Sequence, residues 1–143
     1  MAKLRMEFMK ITRITTNEID QLQKIGRQTF YETFSTGNTQ ENMQKYLDER
    51  FSIEKLTAEL NDKNAIFYFA QLENKIVGYL KINFGDSQTE LKDDKSLEIE
   101  RIYVLKEFQE KKLKTTKSYF LNEIKIVFLQ KFSYRHLNHL SES

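Results

Sequence analysis

The segment at residues 97–109, LEIERIYVLKEFQ, constrains the fold more than any other stretch, because a strong strand pattern in it changes phase halfway. Leu97 and Ile99 alternate with Glu98 and Glu100, the period of two that gives a strand one apolar and one wetter face. Ile102 and Val104 then carry the apolar positions in the opposite phase. A single extra residue near Glu100 and Arg101 restores one continuous apolar face, and such an insertion is a β-bulge. A bulge re-aims a strand. The expectation is therefore that backbone groups of Ile102, Tyr103 and Val104 turn toward something other than a neighbouring strand.

Around this segment the chain alternates helical and strand signals. Residues 9–14 read as a short strand, and Thr15 followed by Glu18 predicts a capping box. Ile19, Leu22, Ile25, Thr29, Phe30 and Phe34 recur at helical spacing, predicting an amphipathic helix through about Thr33 that ends before Gly37. Met43, Tyr46, Leu47 and Arg50 predict a second helix, and Ser52 caps a third bearing Ile53, Leu56 and Leu60. Residues 66–72 and 76–84, joined by the polar Glu73, Asn74 and Lys75, read as an antiparallel hairpin; its near-continuous apolar character predicts cover on both faces. Residues 85–96 form a charged loop, and Phe120, Leu121, Ile124, Val127 and Phe128 make a last helical stripe. The order β, two or three α, β, β, β, α predicts an α/β fold of the α+β type: a mixed, mostly antiparallel sheet flanked by helices.

A length of 143 residues fits one domain, and 39% hydrophobic with 31% charged residues is a globular composition. There is no cysteine, which excludes disulfides, thiolate metal sites and a cysteine nucleophile. A net charge of +2 with signs interspersed gives no footprint for nucleic acid, and the lysines after residue 110 read as a solvated surface. No run approaches the roughly 20 apolar residues of a spanning helix. The first residues lack the apolar core of a secretory signal, so the expectation is a cytoplasmic chain without a membrane partner. His136 and His139 have no third ligand in view, and no metal is expected.

Residues 98–109, EIERIYVLKEFQ, together with GYLKINFGDSQTE at 78–90 and FYETFS at 30–35, resemble the GNAT family of N-acetyltransferases. Within it they are most similar to the branch of PaiA-type spermidine/spermine acetyltransferases, and the resemblance spans roughly residues 9–109. It implies acetyl transfer from acetyl-CoA to a primary amine, a polyamine such as spermidine or spermine. Such chemistry needs a base for the ammonium proton and a donor for the oxyanion. Glu98 and Glu100 lie on one face of the strand before the phase change, where the resemblance places the thioester. Their mutual repulsion in a partly buried cleft is expected to raise one of the two pKa values and to attract a polycation. The competing reading makes them solvent-facing partners of Arg101, Lys81 or Lys95.

The resemblance assigns binding of the pantetheine arm to the main chain of Ile102, Tyr103 and Val104, and the acceptor side to Phe30, Tyr31 and Phe34, which core packing would equally explain. It assigns the pyrophosphate to the turn at Gln109, Glu110, Lys111, Lys112, Leu113 and Lys114. There the chain departs from the family pattern, because Lys112 and Lys114 stand where glycines let the backbone adopt positive φ and approach a phosphate closely. The family continues with a strand, a helix bearing a tyrosine and two closing strands, which the sequence after Gln109 does not match. The expectation is a family ending replaced by truncation or a shifted reading frame. A sheet edge left open in this way invites aggregation or pairing with another chain, a second copy in a homodimer among them. The rival is a catalytically degenerate relative serving as a binding or dimerising module, or a non-functional product.

Overall fold

A computed structural model describes residues 10–89 and 97–108. Aromatic and β-branched residues make the centre of the sheet, where β2 (Ala65–Leu72) and β3 (Lys75–Phe84) are buried along nearly their whole length. β1 (Lys10–Arg13) pairs with the outer side of β2 and β4 (Leu97–Val104) with the outer side of β3, giving the order β1-β2-β3-β4. Every neighbouring pair among the described residues is antiparallel, in keeping with the mostly antiparallel sheet expected.

Three helices follow β1: α1 (Ile19–Phe34), α2 (Gln40–Arg50) and α3 (Ile53–Asn61). The Thr15 capping box forms, its hydroxyl accepting from Asn17 N at 3.2 Å while the Glu18 carboxylate accepts from Thr15 N at 2.9 Å. It opens a single 3₁₀ turn, Thr16–Glu18, that runs into α1. Thr39 and Ser52 cap α2 and α3, accepting from Asn42 N and Lys55 N at 3.1 Å each. Glu73 and Asn74 turn the hairpin with φ of 51° and 67°, the double positive φ whose twist matches that of the flanking strands.

The sheet buries both faces. On one, Ile66, Tyr68, Ala70, Leu80, Ile82, Leu97 and Val104 form a continuous apolar layer. On the other, Phe67, Phe69 and Tyr79 pack against Leu22, Ile25 and Phe30 of α1, Met43 and Leu47 of α2, and Leu56 of α3. Gly26 lets α1 settle on Phe51: a Cβ there would stand 2.6 Å from the Phe51 ring. Among the described residues no helix is long and apolar enough to cross a membrane. The last helical stripe, His136, His139 and the tail that carried the truncation or frame-shift expectation lie outside the described residues.

Candidate active site

β3 reads Tyr79-Leu80-Lys81-Ile82-Asn83, so two polar side chains alternate with two apolar ones. Leu80 and Ile82 enter the apolar layer, which turns Lys81 and Asn83 toward the helices. Opposite them, Lys81 pairs with Arg101 but Ile82 pairs with Ile99, leaving Glu100 as the extra residue. The bulge is thus where the phase change in the sequence puts it. It sets Arg101 opposite Lys81, on the face that Glu98 and Glu100 already share by alternation. Both carboxylates reach the same amide: Asn83 Nδ2 donates to Glu98 Oε1 at 3.0 Å and to Glu100 Oε1 at 2.8 Å.

The two carboxylates are held differently. Glu98 Oε1 accepts from Thr89 N at 3.0 Å and Glu98 Oε2 from Thr89 Oγ1 at 2.9 Å, which ties it to the segment leaving β3. Glu100 accepts from Lys81 Nζ at 2.9 Å and lies 2.8 Å from Arg101 Nε. Glu59, arriving from α3, accepts from the same two cations, Lys81 Nζ at 2.7 Å and Arg101 Nη2 at 2.8 Å. Burial by itself pushes the Glu100 carboxyl up, but the hydrogen bonds from Asn83 and Lys81 and the charges of Arg101 and Lys81 outweigh it and hold the group below the usual carboxylate range. The expected rise therefore does not fall on Glu100, and the reason is the two cations, which mutual repulsion alone leaves out of account. Nor is Glu100 a solvent-facing partner of them, since its side chain is only 19% exposed. Burial likewise pushes the neighbouring Tyr79 phenol up, against a smaller downward pull from Arg101.

Ile102, Tyr103 and Val104 stay in register with Leu80, Tyr79 and Gly78. The bulge leaves the pairing of β4 with β3 intact; the parting expected from the resemblance is from the strand that would follow β4, which lies outside the described residues. The described sheet ends on the far side of β4, beyond these three residues. Gly78 permits the close pairing, for a Cβ there would collide with the Tyr103 carbonyl oxygen. Tyr103 stacks on Tyr79 with ring centroids 5.9 Å apart.

Of the three aromatic residues expected on the acceptor side, Phe30 is buried against Phe51 and Phe34, with Arg50 over its ring at 5.2 Å. Tyr31 and Phe34 present ring surface to solvent, and one residue apart from Phe30 along a helix Tyr31 faces a different direction. Gln109, Glu110, Lys111, Lys112, Leu113 and Lys114 lie outside the described residues. A separate cleft of about 530 Å³ opens at the opposite end of β3, lined by Lys24, Gln28, Asn74, Lys75 and Glu107 among others, and takes no part in the carboxylate cluster. Glu59 and Asn83 escaped the sequence reading. The signal for Asn83 was its two-residue spacing from Lys81 inside an apolar strand; Glu59 enters only through the crossing of α3, which no local pattern records.

The sequence over residues 20–115 matches the acetyltransferase (GNAT) family. An uncharacterized N-acetyltransferase from the pepI 3′ region of Lactobacillus delbrueckii subsp. lactis is 36% identical over 108 residues, 76% of this chain, and the chain spans 62% of that relative's length. Among solved structures, the PaiA N-acetyltransferase of Thermoplasma acidophilum in complex with coenzyme A superposes with a TM-score of 0.65 at 19% identity, over 85% of this chain and 73% of that one. An aminoglycoside acetyltransferase, meta-AAC0020, from an uncultured soil metagenomic sample and in complex with sisomicin, superposes with a TM-score of 0.59 at 23% identity, over 89% and 74%. The bulged β4, the antiparallel sheet and the match over most of the described residues lead to one conclusion: the chain belongs to the GNAT acetyltransferase family.

Proposed function

We propose that the chain transfers the acetyl group of acetyl-CoA to a primary amine of a polycation, with a polyamine such as spermidine or spermine as the acceptor. The observation that carries the reading is the pair Glu98 and Glu100, which share one face and one amide beside the bulge on the outermost described strand. A carboxylate there takes a proton from the ammonium; the freed amine attacks the thioester carbonyl, the C–N bond forms as the C–S bond breaks, and coenzyme A departs as thiolate. The surplus proton on the new amide nitrogen passes to solvent or to the thiolate. Ile102, Tyr103 and Val104 supply main-chain groups along the carrier, and Tyr31 and Phe34 supply apolar surface for the acceptor's methylenes.

The acceptor class rests on the resemblance of residues 30–35, 78–90 and 98–109 to polyamine acetyltransferases, whose acceptors carry more than one positive charge. Aminoglycosides share that property, and two solved relatives of this fold are aminoglycoside acetyltransferases. The test is release of free thiol from acetyl-CoA by the purified chain, with spermidine, spermine and sisomicin as acceptors and a monoamine as control. Faster release with the polyamines supports the reading, faster release with sisomicin reassigns the acceptor, and no release with any amine overturns it. A second reading follows from Lys112 and Lys114, which occupy the glycine positions of the phosphate turn. It is a catalytically degenerate relative that serves as a binding or dimerising module or has no function, and absence of both acetyl-CoA binding and thiol release with every acceptor selects it.

A further inference from the structure

Glu59, Lys81, Glu100 and Arg101 close into a ring of alternating charge. Glu59 Oε2 faces Lys81 and Arg101 at 2.7 and 2.8 Å, and the same two cations face Glu100 at 2.9 and 2.8 Å. Their side chains are 8% to 19% exposed, so the ring stands largely out of water, where unlike charges attract more strongly and an unpaired one is costly. Each member is opposed by two neighbours, and the ring carries no net charge. A proton arriving on Glu100 would cancel its contacts to both cations at once. Glu98 stands beside the ring, joined to Glu100 through the Asn83 amide and held by the backbone and hydroxyl of Thr89.

We propose that the ring fixes Glu100 as a standing negative charge, leaves acceptance of the substrate proton to Glu98, and makes Glu59 on α3 a positioning residue for the pair. This division of roles rests on the acetyltransferase reading above. The groups facing Glu100 are Lys81 and Asn83 from β3, Arg101 and Glu98 from β4, and Glu59 behind the cations from α3; Tyr79 lies beside Arg101. Glu98 and Glu100 share the Asn83 amide, so the standing charge of Glu100 disfavours a second charge on Glu98 relative to a chain in which Glu100 is neutral. Glu59 holds both cations from the helix side, so the position of Glu100 depends on the seating of α3 against β3 and β4.

Carboxyl-carbon NMR of the full chain labelled with [δ-¹³C]glutamate, assigned with Glu98→Gln and Glu100→Gln, follows each carboxyl through a pH titration without any need for turnover. Glu100 is expected to titrate at a lower pH than Glu98, and the Glu98 midpoint is expected to fall in Glu100→Gln. Glu98 titrating below Glu100, or a midpoint unmoved in Glu100→Gln, overturns the proposal. In the thiol-release assay, Glu98→Gln is expected to abolish the acid limb of the kcat/KM profile, and Glu100→Gln to shift that limb to lower pH while keeping it. An acid limb lost in Glu100→Gln and kept in Glu98→Gln reverses the roles. Glu59→Gln is expected to lower kcat with KM for acetyl-CoA unchanged, and full kcat in that variant removes Glu59 from the account. Should Glu59→Gln fail to fold, Arg101→Lys, which keeps the charge and loses the fork, is read the same way. If the wild-type chain releases no thiol with any amine, the acetyltransferase reading falls while the NMR titration still decides the ring.

Discussion

At the scale of single residues, the two carboxylates on β4 show how much their neighbours matter. Glu100 is held below the usual carboxylate range in the folded chain, and an unfolded glutamate titrates near about 4.3. Its contribution to stability is therefore fully present above the unfolded value and is lost as pH falls through the lower folded one. Urea midpoints measured from neutral pH down to about 3 should decline less steeply in Glu100→Gln than in wild type. That variant should also lose up to about 3 kcal/mol at neutral pH, because it leaves Lys81 and Arg101 with one carboxylate between them. Asn83 makes a sharper test. Asn83→Asp places a third acid between Glu98 and Glu100, and is expected to cost at least about 2 kcal/mol at neutral pH, a deficit that shrinks on acidification as the carboxyls protonate. The sequence displayed Glu98 and Glu100 as a pair because alternation exposes strand faces. It did not display their inequality, which arises where Lys81, Arg101 and Glu59 meet from two strands and a helix.

At the scale of elements, β3 and β4 form one unit with the bulge as its organising irregularity. The bulge was legible because Ile99 and Ile102 cannot share a face without an extra residue between them. A second irregularity, where Gln71 pairs with Ile76 and Ala70 with Gly78, was not legible, because apolar residues on both sides of β3 erase the alternation that would mark it. Helix starts were readable wherever a hydroxyl precedes a polar first turn, as at Thr15 and Ser52. Replacing the cap Ser52 by alanine should lower the urea midpoint by an amount equivalent to about 1 kcal/mol at unchanged slope. Gly78→Ala forces a Cβ onto the Tyr103 carbonyl and Val104, and should cost about 1–3 kcal/mol by the same measurement. A loss indistinguishable from zero would mean that β4 pairs more loosely than the register indicates. α1 joins this unit at its far end, where Glu32 accepts from Lys106 N at 2.8 Å just beyond β4.

At the scale of the whole molecule, the helices and β2–β3 fix β4, the strand to which the proposed function assigns both the proton-handling acids and the main chain along the thioester carrier. The central claim is that the chain engages acetyl-CoA. Calorimetric titration of the purified chain with acetyl-CoA tests it most directly. The account predicts saturable binding and a matching rise in unfolding temperature, since ligand at about a hundredfold its Kd adds about 2.7 kcal/mol of stability. Neither heat nor a shift in unfolding temperature at saturating acetyl-CoA would contradict it.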